Sequence, residues 1–445
     1  MSQTEIELND KFKEALTQME NTSRHFFITG RAGTGKSTLL SYFRDHTHKK
    51  IAVLAPTGVA ALNVEGETVH SFFGFMPETT MSSVKRLEKD DRRLKMYKEL
   101  DMIIIDEISM VRADLLDCVD KFLRLNGKNA HASFGGIQMV FIGDLYQLPP
   151  VVTKDQKILF QEYYDSPYFF SSQAFKDRQK SLLNDDNFDL EIIELDKIYR
   201  QSDRRFIDIL NGVRTNSVKD THLAELNKRV DKSFKPKSDD FWISLTSTNQ
   251  QAAIINEERL KKLKGEAHTY EGKFTGEIDD RSFPTDRVLS VKKGVQVMMV
   301  SNKGGNWVNG SIGVVEDFEY DEECKQDTVV IRLLNNEVIR VTPYMWDVLR
   351  WTYDNKKISI ACESVGSFTQ YPFRLAWAVT IHKSQGKTFD RVIIDVGPST
   401  FASGQMYVAL SRCRSLEGLV LKQTITKRHI LLDKCVVEFM DNANV

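Results

Sequence analysis

What the chain has little of narrows the reading first. Its five cysteines, Cys118, Cys324, Cys362, Cys413 and Cys435, contain no C-x-x-C pair, and its nine histidines form no Cys/His cluster at ligand spacing. A disulfide framework and a structural zinc site are therefore not expected, and scattered thiols fit a reducing interior. No apolar run approaches the roughly 18 residues that span a bilayer. The stretch from Met1 to Glu20 is acidic early and has no apolar centre, so no secretory or transit leader is read there. The expected location is cytoplasmic, beside the nucleoid, with no membrane partner. Excess charge of one sign is also missing, since 61 Lys+Arg face 62 Asp+Glu for a formal net charge of −1. Nucleic-acid binding, if present, must then come from local arrangement rather than a global field. No repeat of solenoid length and no low-complexity tract is found.

Against these absences stands Gly30-Arg31-Ala32-Gly33-Thr34-Gly35-Lys36-Ser37, which fits the phosphate-binding pattern G-x-x-x-x-G-K-[ST]. A short apolar run, His25 to Thr29, precedes it and reads as a buried strand; Thr38 to Phe43 reads as the start of a helix. In that context backbone N–H groups turn inward around phosphate oxygens, and the helix N-terminus adds partial positive charge. Gly30, Ala32, Gly33, Thr34, Gly35, Lys36, Ser37 and Thr38 are the expected nucleotide contacts. Lys36 is assigned to the β- and γ-phosphates and Ser37 to Mg²⁺.

The 445 residues suffice for about two to four domains. Apolar content of 41% and charged content of 28% are those of an ordinary globular protein. Helical spacing over residues 6–20 is followed by apolar strands at 51–55, 102–105 and 137–142, with helices predicted over 59–62 and 113–125. Apolar strands alternating with helices indicate an α/β fold around a parallel sheet. From Thr68 to Glu99 the pattern breaks into an aromatic cluster and a charged stretch, read as a small surface insertion. A first α/β domain is expected to close near 185, in Asn184-Asp185-Asp186-Asn187. A second begins after it, with helices over 203–214 and 250–263 and a strand over 241–245. Short strands near 295–300, 312–315, 329–333 and 338–341 indicate a small barrel over 288–365, after which α/β character resumes at Ala376.

The second firm signal is Ile103-Ile104-Ile105-Asp106-Glu107, two carboxylates closing a buried strand. Strand ends at the carboxyl edge are where α/β domains bind ligands. Asp106 is assigned to the Mg²⁺ shell, partly through water, and Glu107 to polarising the water that attacks the γ-phosphate. No N-K-x-D guanine clamp is present, so ATP is the expected nucleotide. Gln147, in Gly143-Asp144-Leu145-Tyr146-Gln147-Leu148-Pro149-Pro150, reads as a sensor linking ATP state to domain position; by itself the stretch also reads as a proline-ended turn. Arg200 and Arg412 are read as cations reaching across a cleft to the γ-phosphate, the alternative for either being a surface ion pair. Pro56, Thr57, Gly58, His70, Phe72, Thr246, Asn249, Thr380, His382 and Lys383 suit phosphate positioning and base stacking along a single strand. For Phe72 a core position is the plain alternative, and for His382 a structural one. Gly386 closes Thr380-Ile381-His382-Lys383-Ser384-Gln385-Gly386 and is placed with the nucleotide contacts.

The ordered set resembles superfamily-one helicases of the Pif-one/RecD-like branch from about Leu8 to Leu419. The most specific pieces are Asp106-Glu107-Ile108-Ser109-Met110, Phe134-Gly135-Gly136-Ile137-Gln138, the Gly143–Pro150 stretch and the Thr380–Gly386 stretch. Residues 114–134 resemble that branch's signature helix. The resemblance implies two RecA-like P-loop NTPase domains that sandwich ATP. The first, 1–185, would carry a wedge insertion at 68–100. The second, 186–287 with 366–445, would carry an SH-three-like β-barrel at 288–365. It further implies an ATP- and Mg²⁺-dependent, monomeric motor. Such a motor moves 5′ to 3′ on single-stranded DNA and unwinds duplex at single-strand/double-strand junctions. Many relatives also act on G-quadruplexes and RNA–DNA hybrids, in DNA repair, recombination and telomere maintenance. One departure is visible: where relatives carry an adenine-reading Gln in the first helix, Phe12 stands here. The absence of long extensions favours a compact bacterial or phage-like form.

Two other functions share these motifs. A translocase would move on DNA without separating strands. A regulatory switch binding protein would hydrolyse ATP with no response to single-stranded DNA.

Overall fold

The computed structural model describes residues 9–443 except 77, 153–159, 161, 176–189, 202, 238–239, 277–282, 304–305, 323–324, 355–358 and 398–401. The predicted strands assemble into two parallel sheets. In the first, β1 (His25–Gly30), β2 (Ile51–Ala55), β3 (Glu67–Thr68), β4 (Met102–Ile105), β5 (Gln138–Ile142) and β6 (Leu190–Leu195) lie in the order β3-β2-β4-β5-β1-β6. Every neighbouring pair is parallel. The central strands are buried along almost their whole length because both faces are covered. Alternation sorts their side chains. Phe26, Ile28, Val53 and Val140 face α1 (Asp10–Asn21) and α2 (Lys36–His46). Phe27, Leu54, Ile103 and Phe141 face the other way, onto the core that also holds Leu116, Val119 and Leu123 of the helix Ala113–Asn126.

The helix α1 starts where Asn9 accepts a hydrogen bond from Phe12 N–H at 2.8 Å, the preferred way to satisfy a first-turn donor. Part of the helix predicted over 6–20, residues 6–8, lies outside the described residues. So does the boundary at 184–187. The strand β6, however, pairs with β1 over its full length. The first sheet therefore runs past 185 to Leu195. Its half-exposed pattern, LEIIEL, lacks the solid apolar run that marks the inner strands.

The second sheet orders Ala378–Thr380, Ile243–Thr246, Val392–Asp395 and Leu419–Leu421, again parallel. Leu245, Val379, Ile394 and Leu421 share a core with Phe206, Ile209 and Val213 of the helix Arg204–Arg214 and with Met406–Leu410 of the helix Gln405–Ser411.

Between Ile243–Thr246 and Ala378–Thr380 the chain leaves the second sheet for an antiparallel region wider than 288–365. Strands begin at His268 and end at Leu375. Gln296–Met299, Ile312–Asp321, Gln326–Leu333, Val338–Val341 and Phe373–Leu375 form a five-stranded sheet, beside a two-stranded and a three-stranded one. The outer strands escaped the sequence reading because they are polar and exposed, as in Lys273–Gly276. The hairpin of Tyr344–Asp354 and Ser359–Gln370 reaches the first sheet. There Trp351 N–H donates to Glu67 Oε2 at 2.9 Å, and Ser71 Oγ donates to Glu67 Oε1 at 2.6 Å. The C-terminal helix Lys434–Ala443, expected within the second α/β domain, instead packs on the first. Val436 and Met440 enter the core of the first sheet, and the Phe439 ring stacks on Phe170 at 4.2 Å. Among the described residues no helix is long and apolar enough to cross a membrane.

His25 opens β1 with its Nδ1 accepting from Met139 N–H at 2.9 Å. Burial holds its pKa down at about 4, so the folded protein keeps it neutral. Between pH 6.5 and 4 the unfolded chain binds the extra proton and the folded one does not, so stability falls as pH drops, by about 3 kcal/mol at pH 4. The variant His25→Asn, whose side-chain oxygen takes the same N–H, is expected to flatten this acid limb of the melting temperature against pH.

Candidate nucleotide cleft and nucleic-acid track

The loop leaving β1 wraps back on itself. Gly35 caps α2 in the left-handed region, at φ 88°. Thr34 Oγ1 donates to Arg31 O at 2.9 Å, and Lys36 Nζ donates to Gly30 O at 2.7 Å and Arg31 O at 3.1 Å. Burial pushes the Lys36 ammonium pKa down against the pull of Asp144 and Glu107. Just after β4, which β5 separates from β1, Asp106 N–H donates to Leu54 O at 2.9 Å, and Glu107 follows at φ 49° and ψ 43°. A left-handed glutamate is strained by roughly 1–3 kcal/mol, and such positions cluster where geometry serves function. Burial raises both carboxyl pKa values, that of Asp106 to about 7 with help from the charge of Glu107.

The far wall comes from the rest of the chain. Tyr199 N–H donates to Gly33 O at 2.8 Å. Gly33 itself tolerates no side chain, since an added Cβ would lie 2.4 Å from Arg200 Cβ. Arg200 then spans outward, donating to Gly386 O at 3.2 Å and Ser411 O at 3.4 Å. Arg412 is 1% exposed, with Nε on Val408 O at 3.0 Å and Nη2 on Ser411 Oγ at 2.8 Å. Burial, then the charge of Arg200, lowers its pKa to about 9. Tyr407 hydroxyl accepts from Ala32 N–H at 2.9 Å, tying the phosphate loop to the helix Gln405–Ser411. That helix begins at Gly404, φ 71°, where a Cβ would come within 2.2 Å of Gln147 O.

These contacts enclose a cavity of about 730 Å³ lined by Ala32 to Thr38, Phe12, Glu107, Gln147, Tyr199, Arg200, Gly386, Thr388, Arg412 and Arg414. Gly30 and Asp106 stand behind its wall. Arg200 sits just after β6, at the crossing from the first sheet, rather than inside the second α/β unit. Gln147 Nε2 donates to Asp144 Oδ2 at 3.3 Å, and Asp144 Oδ1 pairs with Arg214 at 3.2 Å. The Arg214 guanidinium lies over the Tyr146 ring at 4.2 Å. Asp144 was visible inside the Gly143–Pro150 stretch without a role; Tyr199, Arg214 and Tyr407 carried no motif of their own. Ser37 and Asp106 offer hydroxyl and carboxylate oxygens, the hard donors that suit Mg²⁺ when phosphate and water complete its shell.

The nucleic-acid candidates gather at the carboxyl ends of strands at one side of each sheet. Pro56, Thr57 and Gly58 follow β2 and His70 follows β3, while Thr246 ends one strand of the second sheet, with Asn249 after it, and Thr380 ends another, with His382 and Lys383 after it. Thr57, Asn249 and Lys383 are exposed, and Pro56, Gly58, His70 and His382 half-buried. Three assignments need correction. Phe72 is 2% exposed, packed edge-on against Phe73 and Tyr97 with its carbonyl accepting from Tyr97 hydroxyl, so its ring cannot stack on a base. Thr246 and Thr380 are buried and close their strand ends: Thr246 Oγ1 donates to Thr248 O at 3.1 Å, and Thr380 Oγ1 accepts from Lys383 N–H at 3.3 Å.

Comparison with known proteins gives one consistent set. The family model described as PIF1-like helicase matches residues 6–223. The mouse (Mus musculus) ATP-dependent DNA helicase PIF1 is 34% identical over 431 residues, covering 94% of this chain and 60% of the mouse protein. The chain thus spans about three-fifths of that relative's length. The crystal structure of Bacteroides sp Pif1 in complex with ADP-AlF4 superposes with a TM-score of 0.87 at 35% identity, covering 99% of this chain and 97% of that one. Bacteroides Pif1 bound to ssDNA gives 0.68 at 34% identity, with 98% and 97% covered.

Breaking a buried ion pair from one side strands the other charge, at a cost of about 3–5 kcal/mol. Arg214→Met is therefore expected to lower the melting temperature sharply by leaving Asp144 unpaired. The double variant Arg214→Met with Asp144→Asn is expected to recover much of the loss, a non-additivity that a thermal double-mutant cycle measures.

Proposed function

The chain belongs to the PIF1-like helicase family, and from that membership we propose that it is an ATP-dependent DNA helicase moving 5′ to 3′ on single-stranded DNA and unwinding duplex ahead. The observation that carries the reading is the cavity in which Lys36 and Glu107, from the first sheet, meet Arg200 and Arg412. The relatives' names and the nucleotide and ssDNA complexes of the Bacteroides protein support the same reading. The two parallel sheets are then the cores of two RecA-like units, residues 68–100 the wedge, and the antiparallel region an SH-three-like insertion. Junctions, G-quadruplexes and RNA–DNA hybrids are the further substrates of this reading, and the motor acts as a monomer.

The chemistry assigns each side chain a task. Lys36 and the loop amides hold the β- and γ-phosphates. Ser37 and Asp106 hold Mg²⁺, which neutralises phosphate charge when bound. Glu107 orients and polarises the attacking water. Arg200 and Arg412 stabilise charge on the γ-phosphoryl group as it transfers. Because these arginines approach from beyond the first sheet, nucleotide and closure are coupled, and hydrolysis weakens the closed state. Gln147 links the two events through its place between the cavity and the Asp144–Arg214 pair. A strand lying over Thr57, His70, Asn249, His382 and Lys383 is then gripped alternately by the two units. The chain superposes better on the ADP-AlF4 form of the Bacteroides protein than on its ssDNA form, which supports a rearrangement of the units on engaging DNA.

Lys36→Ala is expected to reduce DNA-stimulated ATP hydrolysis on the order of 10³-fold while leaving single-stranded DNA binding measurable by anisotropy. Glu107→Gln is expected to bind ATP and hydrolyse it poorly. Duplexes with a 5′ tail should be separated and those with a 3′ tail should not. Equal unwinding of both would overturn the polarity, and translocation with no separation of either would favour a plain translocase. DNA affinity should fall with salt, as phosphate contacts require.

A further inference from the structure

One wall of the cavity, beside Gly35 of the phosphate loop, is built from hydrocarbon. Ring carbons of two side chains converge on the space beside Gly35: relative to an added Cβ there, Phe12 Cε2 lies at 3.5 Å and Tyr199 Cε2 at 3.8 Å. Phe12 is 2% exposed and belongs to the core under the first sheet, so its ring is a fixed wall. Tyr199 is 48% exposed, held at its backbone by Gly33 O, with the Lys197 ammonium 5.1 Å from its ring centroid. It presents an open aromatic face. Among the described residues, two polar groups beside this wall are bonded elsewhere. Phe12 N–H is taken by Asn9 Oδ1 and Asn9 O by Lys13 N–H. Gln147 is the carboxamide among the described lining residues, and it is tied to Asp144.

Adenine and guanine differ in the donors and acceptors along their edges, not in their faces. A pocket with a hydrogen-bonding group fixed against such an edge rejects the wrong partner by several orders of magnitude, whereas apolar walls discriminate by only about 10- to 200-fold. Stacking accepts every base, because each has a π-face.

We propose that this site holds the nucleotide base by stacking on Tyr199 against the Phe12 wall, and so accepts nucleoside triphosphates of any base, selecting for phosphates rather than for adenine. This rests on the cavity being a nucleotide site. The residues that set the tolerance are Phe12 and Tyr199.

Calorimetric titration of the whole chain with ADP, GDP, CDP and UDP, each with Mg²⁺, tests it without requiring turnover. The expected dissociation constants fall within about tenfold of one another, purines slightly tighter. Tyr199→Ala, an exposed position, is expected to weaken all four by roughly 5- to 150-fold while leaving their ranking unchanged. Phe12→Gln, which supplies an amide, is expected to widen the gap between ADP and GDP. ADP binding more than about 100-fold tighter than GDP in the unaltered protein overturns the proposal while leaving the nucleotide site intact. So does a Tyr199→Ala variant with undiminished affinity. Failure to bind any of the four removes the nucleotide site itself, and the proposal with it.

Discussion

The seam between the phosphate loop and the helix Gln405–Ser411 buries more charge than either side balances alone. Asp106 and Arg412 are buried and Lys36, Glu107 and Arg200 half-buried, and the five act on one another's ionisation. Withdrawing a lone ion from solvent costs several kcal/mol, recovered only through close and well-bonded partners. The arginines solve this locally with main-chain carbonyls, Arg412 with Val408 and Arg200 with Gly386 and Ser411. The carboxyls solve it by rising in pKa. A polyphosphate would balance the three cations, while the two carboxylates would need a divalent cation beside it; on the function proposed above, this is the physical root of coupling nucleotide to closure.

Contact across the seam is main-chain close. Ala32 N–H on Tyr407 hydroxyl, Tyr199 N–H on Gly33 O, and the apposition of Gly404 to Gln147 O leave no space for slack. Displacements of the second sheet must therefore reach the loop from Gly30 to Ser37. Farther out, the hairpin carrying Trp351 and the C-terminal helix carrying Phe439 also return to the first sheet. The chain is stitched together at these further points as well, and on the function proposed above a rearrangement on DNA would have to release some of them.

The sequence was most legible where a local rule forces the structure. The glycines and Lys36 of the loop, the acid pair after Ile103 to Ile105, and the strands β1, β2, β4 and β5 announce themselves, since inner parallel strands must be solidly apolar. It was least legible where partners come from far along the chain. Nothing local marks Tyr407 as a ligand of Ala32 N–H, 375 positions away, or Arg214 as the partner of Asp144. Edge strands such as β6 and Lys273–Gly276 are half-polar and lack a periodic signature. Phe72 shows the opposite limit: an aromatic beside polar groups reads equally as a stacking platform or as core, and only packing against Phe73 and Tyr97 separates the two.

The most direct measurement compares ADP affinity with and without aluminium fluoride, which completes a mimic of the transferring phosphoryl group, in the unaltered protein and in Arg200→Ala. If a cation from beyond the first sheet grips that group, fluoride tightens ADP binding at least about tenfold in the unaltered protein. In Arg200→Ala the gain disappears while affinity for ADP alone is kept. An equal gain in both would contradict the assignment of Arg200 to the transferring phosphoryl group and the coupling to closure built on it.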